Sequence, residues 1–145
     1  MLEIFIRYAH YLAMALLIST LFTQQWLLTK QVSNQLIKKL LTVDIIYSIS
    51  AATALLSGLL LWLYVGKPSE FYSNNWIFQL KISLFILVGI LSIAPTIFFF
   101  RHRKSTSLTI TLPTYVIYVI RLEFALLFCL PLLAILMSRA YGLIL

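Results

Sequence analysis

Glu3 and Arg7 are four residues apart, and Arg7 and His10 three, so a helix would carry all three on one face, with Met14 continuing it. Lys81 enters a later apolar run at a similar depth. An imidazole can ligate a metal or carry a proton near neutral pH. Ammonium and guanidinium groups hold carboxylates by charge-assisted hydrogen bonds. Together His10, Lys81 and Arg7 are the candidate cofactor-binding residues: an axial histidine for haem b, with two cations for its propionates. His10 is also the candidate metal ligand. The simpler alternatives are that Lys81 snorkels to the headgroups along its stem and that His10 packs as a polar group.

A second set combines Asp44, Arg121 and Glu123 with Gln24 and Gln25. Asp44 opens an apolar run, where a carboxylate suits the helix dipole. Arg121 and Glu123 are two apart and point to different faces, which leaves Arg121 to pair with Asp44 across a bundle. These three are the expected structural ion pairs, fixing helix register. No Ser-His-Asp arrangement, glycine-rich phosphate loop or paired catalytic carboxylates can be read from the spacing. Three methionines and one cysteine, scattered along the chain, make a weak case for copper(I). Cys129 lies in the middle of an apolar run and is expected to be an inert, buried thiol.

The elements that must position these groups are set by composition. Of the 145 residues, 62% are hydrophobic and 10% charged, against about a quarter charged in a soluble domain. Mean hydropathy is +1.01. One small core cannot hide that much apolar side chain, so the solvent is lipid. Four runs of about 20 residues or more, near 4–28, 43–65, 77–100 and 115–138, can each span a bilayer as helix. Backbone groups in lipid must be satisfied internally, and the runs lack strand alternation, so helices follow. The expected fold is all-α, a transmembrane four-helix bundle forming a single domain over 1–145. The first run has no signal-peptide cleavage pattern after it and is expected to be retained.

Residues 29–42 suit a short interfacial helix, residues 66–76 (GKPSEFYSNNW) are rich in turn formers, and 101–113 are basic, then Ser/Thr-rich. Lys30, Lys38, Lys39, Arg101, Arg103, Lys104 and Arg121 fall on one side, and Arg7, Lys67, Lys81 and Arg139 on the other. The excess places the first and third loops inside and both termini outside, on the periplasmic side in a bacterium. With basic residues beside hydrophobic spans, the net charge of +7 points to anionic headgroups and not to nucleic acid. By the same reckoning His102 is on the inner side, a hydrocarbon thickness from His10, so a haem would have His10 as its sole protein ligand. In the second run Ser48 and Ala52, then Ala54 and Gly58, recur four apart, which allows close helix approach and predicts a central helix. Such a face serves either within the chain or toward a homo-oligomer or membrane-protein partner.

The stretch from Asp44 to Arg103, with IRLEFALLFCLPLLAILMSRAYG beyond it, resembles a bacterial family of predicted four-helix inner-membrane proteins of unknown function. Its most specific pieces are Gly66, Lys67, Phe71, Tyr72 and Asn74, and the segment Leu91 to Thr96. The layout is remotely similar to the four-helix membrane protoporphyrinogen oxidases and the related copper-resistance membrane domains. The resembling residues are the RYAHYLA around His10, Lys81 opening the third run, and RLE at Arg121 to Glu123. That resemblance implies haem and electron transfer to the membrane chain, with His10 and Lys81 as the positions to test. The oxidases carry another histidine in helix three, where this chain has ILVGILSIAP.

Three function classes follow. One is a non-catalytic accessory or assembly protein of the bacterial inner (plasma) membrane. Another is a haem- or quinone-linked oxidoreductase. The third is a small transporter, which would need polar groups near mid-membrane.

Overall fold

The computed structural model describes residues 1–142. Helix α1 (Leu2–Leu27) leads through a short strand, β1 (Gln31–Ser33), into α2 (Asn34–Leu60). The end of α2 widens into a π-helical turn, Leu61–Val65. A one-turn helix, α3 (Ser69–Ser73), precedes α4 (Trp76–His102). Strand β2 (Thr109–Thr111) and helix α5 (Thr114–Ser138) complete the chain. Four helical stretches are long and apolar enough to cross a membrane.

Local sequence explains the boundaries. The Ser33 side chain accepts from the Leu36 amide and caps α2. The Asn75 side chain accepts from the amides of Ile77 and Phe78 and caps α4. Pro113 sits at the start of α5, where its missing N–H costs nothing. No separate interfacial helix fills 29–42. NQLIKKLLTVD contains neither Gly nor Pro, so α2 runs unbroken from Asn34 through the expected boundary at 43.

The four long helices form a square bundle in which α1 packs on α2 and α5, and α4 packs on α5 and α2. The first and third spans, α1 and α4, are therefore diagonal, and α2 is no more central than its neighbours. Only 22–28% of each span is buried inside the protein, so most of each helix faces outward, as lipid-solvated helices do. The buried core includes Leu17, Leu21, Ile37, Phe99, Val116 and Leu127. Of the small residues in α2, Ala54 is buried and Gly58 half-buried against α1, whereas Ser48 and Ala52 are exposed.

One end carries the two basic loops, and these loops are joined. Val32 pairs with Ile110 in an antiparallel β1–β2 ladder, and the Leu112 amide donates to Lys30 O. Val32, Ile110 and Leu112 are all buried beneath it. The other end carries Met1, the Gly66–Asn75 turn and Gly142. Cys129 is exposed on the outside of the bundle, not buried in protein as its apolar neighbours suggested. An apolar run in lipid does not say which of its residues face inward.

Candidate functional site

The polar groups gather in two places. Near the end carrying the termini, His10 is half-buried between α1 and α2. Its Nδ1 lies 3.0 Å from Ala54 O and 3.0 Å from Ser57 Oγ. Ser57 Oγ is itself 2.6 Å from Thr53 O, an acceptor that takes the single hydroxyl proton. The ring must then donate from Nδ1, which fixes the proton there and leaves Nε2 as the free nitrogen. Gly58 makes room: a Cβ at that position would stand 3.2 Å from His10 Cε1.

Of the other residues expected at this end, Arg7 is bound to Glu3 on its own helix, with Nη2 2.6 Å and Nε 2.8 Å from Glu3 Oε1. This is the one ion pair among the described residues. It is exposed and contributes little to stability. Lys81 is half-buried on α4, the helix diagonal to the one that carries His10. No hydrogen bond joins the two among the described residues.

The second place is deeper, and all four spans build it. Gln24 Nε2 of α1 donates to Asp44 Oδ1 of α2 at 3.1 Å. Thr96 Oγ1 of α4 lies 2.6 Å from Asp44 Oδ2. Glu123 of α5 is 1% exposed, and its Oε1 has no hydrogen-bond partner among the described residues. Tyr47, one turn along α2 from Asp44, is buried as well. The expected Asp44–Arg121 ion pair does not form. Arg121 is exposed, and Glu123, two residues on, takes the inward face. Residues two apart on a helix cannot share a face, and the two oxygens of Asp44 meet the neutral side chains of Gln24 and Thr96 in place of a guanidinium.

Glu123 also lies deeper than a rim position. At about 1.5 Å per residue it is roughly 14 Å along α5 from Thr114, in a hydrocarbon layer about 30 Å thick. Sequence reading missed Thr96, Tyr47, Ala54 and Ser57 as residues of these two places. The available signals were Thr96 directly after Pro95 and the polar serines and threonines of α2.

Two cavities flank the helices. One of about 570 Å³ at the sheet end is lined by Asn34, Lys38, Leu41, Arg103, Lys104 and Ser105. Asn34 Nδ2 donates to Ser105 O across its wall. The other, about 140 Å³ and apolar, lies beside α1 at Ala9, Leu12, Ala13 and Leu16 and beside α2 at Ile49. It is below the roughly 300 Å³ of the smaller ligand pockets, and His10 does not line it. No group of three or more His, Cys, Asp or Glu among the described residues is placed to hold a metal ion.

A family model described as a predicted membrane protein (DUF2214) matches residues 2–142. No curated protein and no solved structure matches the chain.

Proposed function

The chain belongs to this family of predicted membrane proteins, and from that premise we propose that it is a non-catalytic accessory or assembly component of a bacterial inner (plasma) membrane. The observation that carries this reading is how the polar side chains of the spans are used. His10 is engaged by Ala54 and Ser57, and Asp44 by Gln24 and Thr96, so both tie helix to helix. Partners then meet the protein from the side, through the lipid. Photo-crosslinking from Ala52, on the exposed small part of α2, is expected to give one discrete protein adduct, with a second copy or another membrane protein. A ladder of random adducts, or none, contradicts the accessory role.

A second reading, the haem- or quinone-linked oxidoreductase, is favoured by one detail. A metal-ligating histidine usually donates its other ring nitrogen to a carbonyl, as His10 Nδ1 does to Ala54 O. The accessory role expects colourless protein that stays colourless after haem addition and leaves quinone redox state unchanged. A Soret band that disappears in His10→Ala would instead establish the oxidoreductase.

The basic end is cytoplasmic in this proposal, with both termini outside. The cavity lined by Lys38, Arg103 and Lys104 suits an anionic phospholipid headgroup. A cysteine at Ser105 is expected to react with membrane-impermeant maleimide only after lysis, and one at Ser69 in intact spheroplasts. The opposite pattern reverses the orientation. Charge reversal at Lys38 and Lys104 is expected to mix the two patterns and to lower the anionic lipid that co-purifies.

A further inference from the structure

We infer that Asp44 and Glu123 form a proton-binding site in the membrane interior, loaded at neutral pH. The inference stands apart from the accessory reading, since it concerns what the bundle core binds and not what docks on its outside.

Three observations support it. First, Glu123 is 1% exposed and its Oε1 meets no donor among the described residues. An ionised carboxylate left unpaired in low dielectric costs several kcal/mol, and a proton removes that charge. Second, the neighbouring titratable groups supply no counter-charge. The elements packed around the pair contribute Gln24 from α1, Asp44 and Tyr47 from α2, Thr96 from α4 and Glu123 from α5. None of these is a cation, and Arg121 lies on the exposed face of α5. Two ionised carboxyls would sit in the core with no cation beside them.

Third, Thr96 has too many acceptors. Its Oγ1 is 2.6 Å from Asp44 Oδ2 and 2.8 Å from Ser92 O. A hydroxyl has one proton, and a backbone carbonyl only accepts. Both short contacts are hydrogen bonds when Asp44 donates to Thr96 and Thr96 donates to Ser92 O. The proton then sits on Asp44 Oδ2, while Gln24 donates to the other oxygen, Oδ1. Proton loss would leave like charges in the core on the diagonal helices α2 and α5 and loosen the packing of α1 and α4 around them, so loading and bundle closure are linked.

The chain is well suited to a direct test, because it has only four acidic side chains. Glu3 and Glu70 are exposed. Infrared spectra of the full chain in mild detergent at neutral pH are expected to show the carbonyl stretch of a protonated carboxylic acid. Glu123→Gln and Asp44→Asn are each expected to remove part of that band, and the double variant all of it. Glu123→Gln is isosteric and has no hydrogen bond to lose at Oε1, so it carries the test even if Asp44→Asn fails to fold. A wild-type spectrum with ionised carboxylate bands alone would overturn the site. So would an acid band unchanged in Glu123→Gln and in every Asp44→Asn sample that folds. Sodium chloride raising the melting temperature above that in choline chloride at fixed pH, in wild type but not in Glu123→Gln, would also overturn it by assigning the site to sodium.

Discussion

Asn75→Ala is expected to destabilise the protein by about 2–4 kcal/mol, while Asn74→Ala one residue earlier changes stability by less than about 0.5 kcal/mol. Asn75 is fully buried. Its Oδ1 accepts from Ile77 N at 2.9 Å and Phe78 N at 3.3 Å, and its Nδ2 donates to Tyr141 O at 2.9 Å. One side chain thus caps α4 and fastens the segment after α5 against it. A cap alone is worth about 1 kcal/mol. Alanine also strands two amides and a carbonyl, and buried groups without partners cost about 1–3 kcal/mol each. The adjacent bond from Trp76 N to Gly142 O, 3.1 Å long, would loosen with it. Asn74 is exposed and ends α3 through its backbone amide, which alanine retains. Titration with a denaturing detergent, followed by tryptophan fluorescence, separates the two variants. Equal midpoints would mean that Asn75 does not hold this end together.

Gly66→Ala is the second large effect, about 2–4 kcal/mol by overpacking. The reason is a close approach, not an unusual backbone angle, since φ at Gly66 is −84°. A Cβ there would stand 2.1 Å from Leu61 O and 2.8 Å from the Tyr72 hydroxyl. The tyrosine can swing aside, but the Leu61 carbonyl belongs to the π-helical turn and cannot move without it. Tyr72 is packed on Phe78 with ring centroids 5.2 Å apart, and Phe78 on Trp62 at 5.1 Å, so displacement passes into the core. The same titration, with Trp62 fluorescence as a local probe, is expected to show a lower midpoint and an altered native spectrum. A wild-type midpoint would show that the turn between α2 and α4 yields freely. Gly89→Ala makes a clean control, because a Cβ there meets nothing within 4 Å.

Both effects fall in the turn where Gly66, Lys67, Phe71, Tyr72 and Asn74 stood out in the sequence. The structure gives four of those five residues a contact. Gly66 admits the Leu61 carbonyl. The Lys67 ammonium lies 4.1 Å from the Phe71 ring centroid, and Phe71 and Tyr72 stack edge-on. The fifth, Asn74, yields its place to Asn75. An asparagine pair in a turn looks the same at either position until the following helix decides which side chain turns inward.

The sequence by itself determined the four spans, their helical state and the segregation of basic residues to one end. These depend on the mean hydropathy of each run and on its own backbone hydrogen bonds, which are local properties. Tertiary structure decided the rest: that α1 and α4 are diagonal, that Glu123 faces inward and Arg121 outward, that Cys129 is exposed, and that the two basic loops pair as strands. The physical reason is that a helix in lipid is apolar on all sides. With no oily face to set against a wet one, only packing against neighbours fixes its rotation, and with it which polar side chains meet.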